Sequence, residues 1–255
     1  MLKEQPSKPL ISIITIVYNG ESFISETIES VLNQKDSRCE YIIIDGGSND
    51  STLEVINKYK ESIDLIISEK DDGIYDALNK GVKLSSGSII GFIHCGDYLN
   101  KNALNNVLDT FKKNNADIVY GDINELDDNK IRRNHADHNQ LKEKMSIFHP
   151  ATFIKRDIYQ KHGIYSLKYK IAADYELLLE FYMQGELFVH IKEPIVTFRL
   201  GGISSTNYKL RINENISIRY NKLGLFSAIK YIITAGVPSY LLNIRKNMKS
   251  ALKFN

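Results

Sequence analysis

The sequence predicts an α/β fold with a mostly parallel central sheet flanked by helices. Short apolar runs rich in β-branched residues recur through the first hundred residues, and segments with apolar residues at helical spacing separate them. Strands that alternate with helices in this way form right-handed βαβ units and a largely parallel sheet. The first hundred residues therefore indicate an α/β architecture of the nucleotide-binding type.

Four apolar runs predict the strands of this sheet. Each is too short for most helices, and its continuous apolar character is typical of a strand buried on both faces. The runs are LISIITIVYN (10–19), YIIIDGG (41–47), IDLIISE (63–69) and SIIGFIH (88–94).

Apolar residues three or four positions apart predict a helix after each strand. The apolar sets are Ile24, Ile28, Val31 and Leu32, then Leu53 and Ile56, then Ile74, Ala77, Leu78 and Val82, then Leu104, Val107, Leu108 and Phe111. The polar run 48–51 supplies candidate N-caps for the second of these helices.

The remaining chain is less regular. ADIVYGDI (116–123) predicts a strand, the polar segment 124–144 predicts a surface excursion, and LFVHIKEPIVTFRL (187–200) predicts two strands with a bend at Pro194. Between them, the stripe of Tyr175, Leu178, Leu179 and Tyr182 predicts a helix. We predict one main domain over 1–223 and an amphipathic, basic helical extension over 224–255.

Composition excludes several classes of protein. The 255 residues are 43% hydrophobic and 25% charged, which is typical of a folded globular chain. A net charge of +2 argues against nucleic acid as a partner. Cys39 and Cys95 form no CxxC pair, and the N-terminus lacks the apolar core of a signal peptide. These features predict a cytoplasmic protein.

Polar residues end each of the first four predicted strands, and the ends of parallel strands are where open sheets bind ligands. They are Tyr18 and Asn19, Asp45 with two glycines, the run Glu69 to Gly73, and the run His94 to Asp97. There is neither a GxGxxG nor a GxxxxGK[ST] motif, so phosphate binding at this acidic edge would need a divalent cation. Oxygen ligands select Mg²⁺ or Mn²⁺, with Asp97 as the candidate ligand. A zinc site at His94 and Cys95 lacks further ligands at suitable spacing.

Six segments, in this order, resemble the family 2 glycosyltransferases of the GT-A fold. They are ITIVYNG, YIIIDGGSNDST, EKDDGIYDALNKG, SIIGFIHCGDYL, HPATFIKRDIY and AADYELLLEF. The resemblance covers residues 9–205 and is greatest to bacterial members that build surface polysaccharides such as capsule or O-antigen.

The resemblance implies roles for particular residues. Tyr18 and Asn19 match the pair against which the donor base packs, and Asp45 matches the aspartate that hydrogen-bonds the base. Asp72 and Asn79 match the segment that flanks the ribose and diphosphate. Asp97 matches the last carboxylate of the metal-binding motif, which implies Mn²⁺ or Mg²⁺. Asp174 matches the general base of inverting members.

Two departures from the family pattern concern these sites. Asp45 is followed by Gly46 where many members have a second aspartate. The run HCGD retains only Asp97 where the first, third and fourth positions can all be acidic. This reduced motif leaves open a nucleotide-sugar-binding protein without transferase activity. A nucleotidyltransferase would need a glycine-rich basic loop near the N-terminus, which IVYNGESF lacks.

Four further segments keep two interpretations each. Glu176 is an alternative base to Asp174, which also fits a first-turn helix acid. His149 resembles a position near the acceptor, although a structural histidine fits equally. Arg199 and the glycine pair 201–202 form either a flap over the diphosphate or an ordinary loop. The C-terminal segment fits the inner face of a membrane, near a lipid-linked acceptor, or packing on the domain or in a homodimer. It has an apolar stripe of Leu225, Ile229, Ile232 and Ile233, followed by the basic residues Arg245, Lys246, Lys249 and Lys253.

Overall fold

The computed structural model describes residues 9–127, 130–200 and 207–236. The chain divides into two units, Met1–Leu200 and Gly201–Asn255. The boundary predicted between residues 223 and 224 falls inside the second unit, between two helices, and stays a prediction.

The first unit is built on one sheet, which has nine strands among the described residues. The strands are β1 (Ile11–Val17), β2 (Cys39–Asp45), β3 (Leu65–Ser68), β4 (Ile89–Phe92), β5 (Tyr98–Leu99), β6 (Ile118–Asp127), β7 (Lys130–Asn134), β8 (Thr152–Lys155) and β9 (Phe188–Arg199). Their spatial order is β3-β2-β1-β4-β8-β6-β9-β5, and β7 pairs with β6.

The first four strands of that order are parallel, as are β6 and β9. The pairs made by β5, β7 and β8 are antiparallel. All seven residues of β1 are buried, as expected for the central strand of a sheet covered on both faces. The predicted mostly parallel α/β fold is confirmed.

Six α-helices belong to the described part of this unit. They are α1 (Ile24–Leu32), α2 (Thr52–Asn57), α3 (Ile74–Leu84), α4 (Ala103–Asn114), α5 (Arg156–His162) and α6 (Ala173–Met183). Helix α3 packs closely on β1 at Gly81, where a Cβ atom would lie 2.7 Å from Cγ2 of Ile14. A glycine at this position therefore lets α3 lie close to the sheet.

Two sequence predictions need correction. The segment 187–200 is one strand, β9, and Pro194 lies opposite Asp122 at an irregularity in the pairing with β6. A bulge accommodates the proline without ending the strand. The polar segment 124–144 contains the end of β6 and all of β7, which form an antiparallel pair. Among the described residues, β7 pairs with β6 alone, and an exposed edge strand needs no apolar alternation.

The second unit contains α7 (Tyr208–Leu223), α8 (Leu225–Tyr231) and a π-helical turn (Ile232–Gly236). The predicted apolar stripe is exposed along its length. Its members are Leu225, Ile229, Ile232 and Ile233, and the neighbouring Phe226 is exposed as well. The basic residues that follow, Arg245, Lys246, Lys249 and Lys253, lie outside the described residues. Within the described part of the chain, no helix has both the length and the apolar character to cross a membrane.

Candidate functional site

The loops after β1 and β2 are joined to each other at the carboxyl edge of the sheet. The Asn19 N–H donates to Ser48 Oγ (2.8 Å), and Asn49 N–H donates to Asn19 Oδ1 (2.9 Å). The Gly20 N–H donates to Thr52 Oγ1 (2.8 Å). Asn19 has a positive φ of 51°, which asparagine tolerates better than most residues. Asn19 therefore shapes the rim of the site.

Asp45 ends β2 and is completely buried. Its carboxylate accepts hydrogen bonds from the N–H groups of Gly47 (3.2 Å) and Ser48 (3.1 Å) and from the hydroxyls of Ser48 (2.5 Å) and Ser68 (2.7 Å). These four donors occupy the carboxylate, which holds the β2 loop in shape. Direct contact between Asp45 and a base stays a prediction, and it would require some of these bonds to break.

The acidic loop after β3 is neutralised in part by Lys80 of α3. The Lys80 Nζ lies 2.6 Å from Asp71, 2.8 Å from Glu69 and 3.3 Å from Asp76. Hydrogen bonds to Asp71 and Glu69 raise the pKa of Lys80 well above its usual value, so it stays charged. An anion approaching this loop therefore meets less negative potential than the acids in its sequence suggest.

Two of the predicted donor-binding side chains are open to solvent. Tyr18 is 63% exposed, and its Cβ atom lies 3.7 Å from the position of a Cβ atom built on Gly46. Asp72 is also exposed, shortly before the start of α3. An exposed aromatic ring at a strand end offers a stacking surface for a nucleotide base.

Asn79 has a structural partner in this conformation. Its amide nitrogen donates to the Tyr165 carbonyl (2.8 Å), and the Tyr165 N–H donates to its amide oxygen (3.0 Å). Asn79 is 5% exposed. The side chain satisfies the buried backbone of Tyr165, so its predicted contact with the ribose or diphosphate stays a prediction that these contacts disfavour.

Asp97 lies between β4 and β5 and is 4% exposed. Its Oδ1 accepts from the Arg199 N–H (3.2 Å), and its backbone carbonyl accepts from Thr27 Oγ1 (2.8 Å). Burial raises the pKa of Asp97 to about 8, and the Arg199 N–H and charge limit that rise. The Arg199 guanidinium lies 5.0 Å from the Phe23 ring and donates to Glu26 (2.6 Å). Asp97 is thus a buried acid that contacts the backbone of Arg199, and the charge of Arg199 lowers its pKa.

The donor set near Asp97 fits a divalent cation only in a minimal way. Within the described ranges, no three His, Cys, Asp or Glu residues are arranged to hold an ion. Burial raises the pKa of the Cys95 thiol to about 12, which keeps it protonated and a poor ligand. Mg²⁺ is often held by one or two carboxylates and by substrate phosphates. Asp97 alone therefore fits an ion that arrives largely bound to a diphosphate.

His94 belongs to a buried aromatic cluster. Its Nε2 lies 3.1 Å from His149 Nδ1, and the two rings stack 5.2 Å apart. His149 Nε2 in turn lies 2.7 Å from the Tyr165 hydroxyl. Burial lowers the pKa of His94 to about 3 and of His149 to about 4, so both rings are neutral near pH 7. These contacts favour a structural role for both histidines over zinc binding.

Asp174 lies in the first turn of α6 and is half-buried. Its Oδ1 accepts from the Tyr75 hydroxyl (3.0 Å) and from the Tyr175 N–H (2.9 Å). Tyr75 is the second residue of α3, so this bond connects the candidate base to the helix that follows the acidic donor-side loop. Glu176, the alternative base, is two residues further along the same helix.

Sequence reasoning missed Tyr75 and Lys80. The helical spacing of α3 placed both on a helix but gave no reason to expect that either contacts the site. For Lys80, the i, i+4 relation to Asp76 was a usable signal. For Tyr75, the partner Asp174 is 99 residues away, and no local pattern indicates such a contact.

The fold and its polar carboxyl edge define an α/β protein of the nucleotide-binding type. A family model, Glycosyl transferase family 2, matches residues 12–173 of this chain. The chain therefore belongs to glycosyl transferase family 2 and is a glycosyltransferase.

Relatives in two bacteria carry the same general description. A "PGL/p-HBAD biosynthesis glycosyltransferase" of Mycobacterium tuberculosis is 28% identical over 205 residues, covering 78% of this chain and 80% of that protein. An "Uncharacterized glycosyltransferase" of Haemophilus influenzae is 29% identical over 247 residues, covering 85% and 76%. These names support the class of enzyme.

Solved structures share the fold at low identity. Staphylococcus aureus TarS 1–349 in complex with UDP-GlcNAc has a TM-score of 0.67 at 16% identity; the match covers 83% of this chain and 66% of that fragment, just under two thirds. The mannosyltransferase PcManGT from Pyrobaculum calidifontis, in complex with GDP-Man and Mn²⁺, has a TM-score of 0.63 at 15% identity, covering 98% and 82%. Likeness at this identity supports the GT-A fold alone.

Proposed function

We propose that this protein transfers a sugar from a nucleotide-diphosphate sugar to a hydroxyl of a growing, lipid-linked surface saccharide, with inversion at the anomeric carbon. The preferred donor is a UDP-sugar. The observation that carries the proposal is the pair of carboxylates Asp97 and Asp174. Both contact the residues at the carboxyl edge of the sheet, one beside a cation and one at a helix N-terminus.

Asp174 supplies the general base in this proposal. The acceptor hydroxyl loses its proton to the Asp174 carboxylate as its oxygen bonds to the anomeric carbon, and the diphosphate leaves with the electron pair of the broken C–O bond. The N-terminus of α6 and the Tyr75 hydroxyl both favour the ionised carboxylate, which is the form that accepts a proton.

Asp97 and Arg199 act on the leaving group. A divalent cation held by Asp97 would neutralise charge that develops on the departing diphosphate. Arg199 is tied to Asp97 through its own backbone N–H, and its guanidinium, which donates to Glu26, also lowers the pKa of Asp97 through its positive charge. The Asp97 side therefore favours departure of a diphosphate, as the Asp174 side favours attack by a hydroxyl.

The donor base packs on Tyr18 in this proposal. The ring is exposed, and the Cβ atom of Tyr18 lies beside Gly46 at the end of the neighbouring strand. Because the Asp45 carboxylate is occupied by its own loop, the preference for uracil over guanine rests on the family resemblance, and GDP-sugars belong in any test.

Thermal stabilisation by a panel of UDP- and GDP-sugars tests the donor class. We expect a UDP-sugar with Mn²⁺ to raise the melting temperature by about 5–10 °C at a hundredfold excess over its Kd, because a ligand that binds only the folded state stabilises it. A response to GDP-sugars alone would overturn the base preference. No response to any nucleotide sugar, with or without Mn²⁺, would overturn the proposed donor.

A nucleotide-sugar-binding role without transfer is the alternative that the reduced HCGD motif raised. Consumption of the best donor, with release of free nucleoside diphosphate in the presence of saccharide acceptors, separates the two. Binding without any release above that of the Asp174→Asn variant would favour the binding protein.

The second unit is proposed to contact a membrane surface where a lipid-linked acceptor is presented. Its exposed apolar residues include Phe226 (83% exposed) and Ile233 (65%), and the basic segment 245–253 follows in the sequence. Apolar side chains followed by Lys and Arg are typical of interfacial segments on anionic lipid.

Co-sedimentation with vesicles containing anionic lipid tests this contact. We expect the full chain to bind. The double variant Phe226→Ser, Ile233→Ser should bind at least about tenfold more weakly, because it lacks two large apolar side chains that would be buried on binding. Removal of the residues after Leu223 should abolish binding. Unchanged partition of both variants would contradict membrane contact. An average molecular mass in solution that rises with protein concentration would then favour a homodimer.

A further inference from the structure

Tyr75 connects the donor side of the site to the candidate base. It is 6% exposed and is the second residue of α3, directly after the loop 69–73. Its hydroxyl donates to Asp174 Oδ1 over 3.0 Å. This hydrogen bond joins the start of α3 to the start of α6, although the two residues are 99 positions apart in the sequence.

The Tyr75 ring has little freedom to move. It stacks on the Tyr165 ring with centroids 5.8 Å apart and an interplanar angle of 22°. Tyr165 is held at its backbone by both ends of the Asn79 amide. Its hydroxyl bonds to His149 (2.7 Å) and to the Tyr159 hydroxyl (3.0 Å). A ring packed in this way fixes the direction in which its hydroxyl points.

The hydroxyl of Tyr75 stays a donor. Burial, and the charge of Asp174 next, raise the pKa of Tyr75 well above its usual value, so the phenol keeps its proton throughout the physiological range. The buried network Asn79–Tyr165–Tyr75 thus ends in one O–H group that is aimed at a carboxylate on another helix.

We propose that Tyr75 is the positioning residue of the catalytic base: its hydroxyl fixes the orientation of the Asp174 carboxylate relative to the donor-side loop and stabilises its ionised form. This role rests on the proposed function, in which Asp174 receives the proton of the acceptor hydroxyl. Tyr75 does not exchange its own proton. It acts through Asp174. The buried contacts of Asn79 and Tyr165 contribute by holding the Tyr75 ring in place.

Tyr75→Phe in the full chain tests the proposal. A hydrogen bond to a charged group contributes enough to predict a fall in kcat of about tenfold to a hundredfold, with the KM for the donor nearly unchanged. The phenol favours the ionised carboxylate, so its removal raises the pKa of Asp174. The acid limb of the pH–rate profile should therefore move to higher pH, by about one unit.

Tyr159→Phe is the matched control. Tyr159 is 3% exposed, belongs to the same aromatic cluster and loses one phenol hydrogen bond, but that bond goes to Tyr165 and not to Asp174. It should retain the wild-type pH–rate profile. Equal slowing of both variants with no shift in either profile would show a purely structural cluster and overturn the proposal, as would wild-type kinetics in Tyr75→Phe.

Two further measurements keep the test decisive. If Tyr75→Phe does not fold, 2,3-difluorotyrosine at position 75 preserves the packing and is a stronger donor, so the acid limb should move to lower pH; an unmoved limb overturns the proposal. If Tyr75→Phe folds, it should add little to Asp174→Asn in a double variant. Absence of transfer by the wild-type protein from every nucleotide sugar would instead be a failure of the proposed function itself.

Discussion

Replacement of Asp174 by Asn is expected to lower the transfer rate by about 10²- to 10⁴-fold while leaving donor binding intact. The loss follows from removal of the carboxylate that accepts the proton of the acceptor hydroxyl. Asparagine keeps an oxygen that accepts from the Tyr75 hydroxyl and from the Tyr175 N–H, so the start of α6 should stay folded. Initial rates at saturating donor, with UDP affinity measured by calorimetry, check both halves of this expectation.

Glu176→Gln is the matched control for this variant. It removes a carboxylate from the same first turn of α6, with the same change in net charge and the same effect on the helix dipole. Its rate should stay within a few fold of wild type. A severe loss in Glu176→Gln combined with a mild one in Asp174→Asn would transfer the role of base to Glu176. Mild effects in both would contradict carboxylate catalysis from this helix.

The parallel sheet could be predicted because its strands are buried on both faces. The continuous apolar run of β1 has to be covered by other apolar elements on both faces, and all seven of its residues are buried in the structure. The ends of such strands also located the polar residues of the site. Strand β7 was not predicted because an edge strand with Lys and Arg side chains has no burial pattern to detect.

The use of each site side chain could not be predicted in the same way. Asp45 and Asn79 look like ligand-binding groups in the sequence, yet their hydrogen bonds are taken by protein groups, some of them distant in the chain. Asn79 meets Tyr165 across 86 residues. Whether a polar group is occupied or open depends on such long-range contacts, so residue type and strand position alone do not determine it.

The two buried aspartates Asp97 and Asp122 differ in the groups that surround their carboxylates. Asp122 is also fully buried, but it accepts from Ala136 N–H, His190, His135 and Arg133, and these bonds lower its pKa despite burial. Asp97 has only the Arg199 N–H on its carboxylate among the described residues, and its pKa is raised. One acid is stabilised in its charged form by its surroundings and the other is not.

Asp97→Asn is therefore expected to lose activity and gain stability. Without the carboxylate that would hold the divalent cation, the charge on the departing diphosphate is less well neutralised, so the rate should fall by about two to three orders of magnitude. Mn²⁺ should also no longer strengthen UDP binding. The amide oxygen of the substituted side chain can still accept from the Arg199 N–H, so the loop has no reason to unfold.

The stability gain has a defined pH dependence. The folded pKa of Asp97 is about 8 and its ordinary value is 3.8, so the wild-type protein loses stability at this residue as pH rises between those values. The melting temperature of Asp97→Asn minus that of wild type should thus grow from pH 4 to pH 8.

Asp122→Asn is the matched control for that measurement. The folded pKa of Asp122 is lowered, so its charge contributes stability above the unfolded pKa and loses it only as pH falls. Its replacement should lower the melting temperature at pH 7, opposite in sign to Asp97→Asn. A buried acid that reduces the stability of the fold needs a compensating function. If Asp97→Asn melted below wild type at pH 8 and kept full activity, Asp97 would be a structural residue and the diphosphate would need another partner.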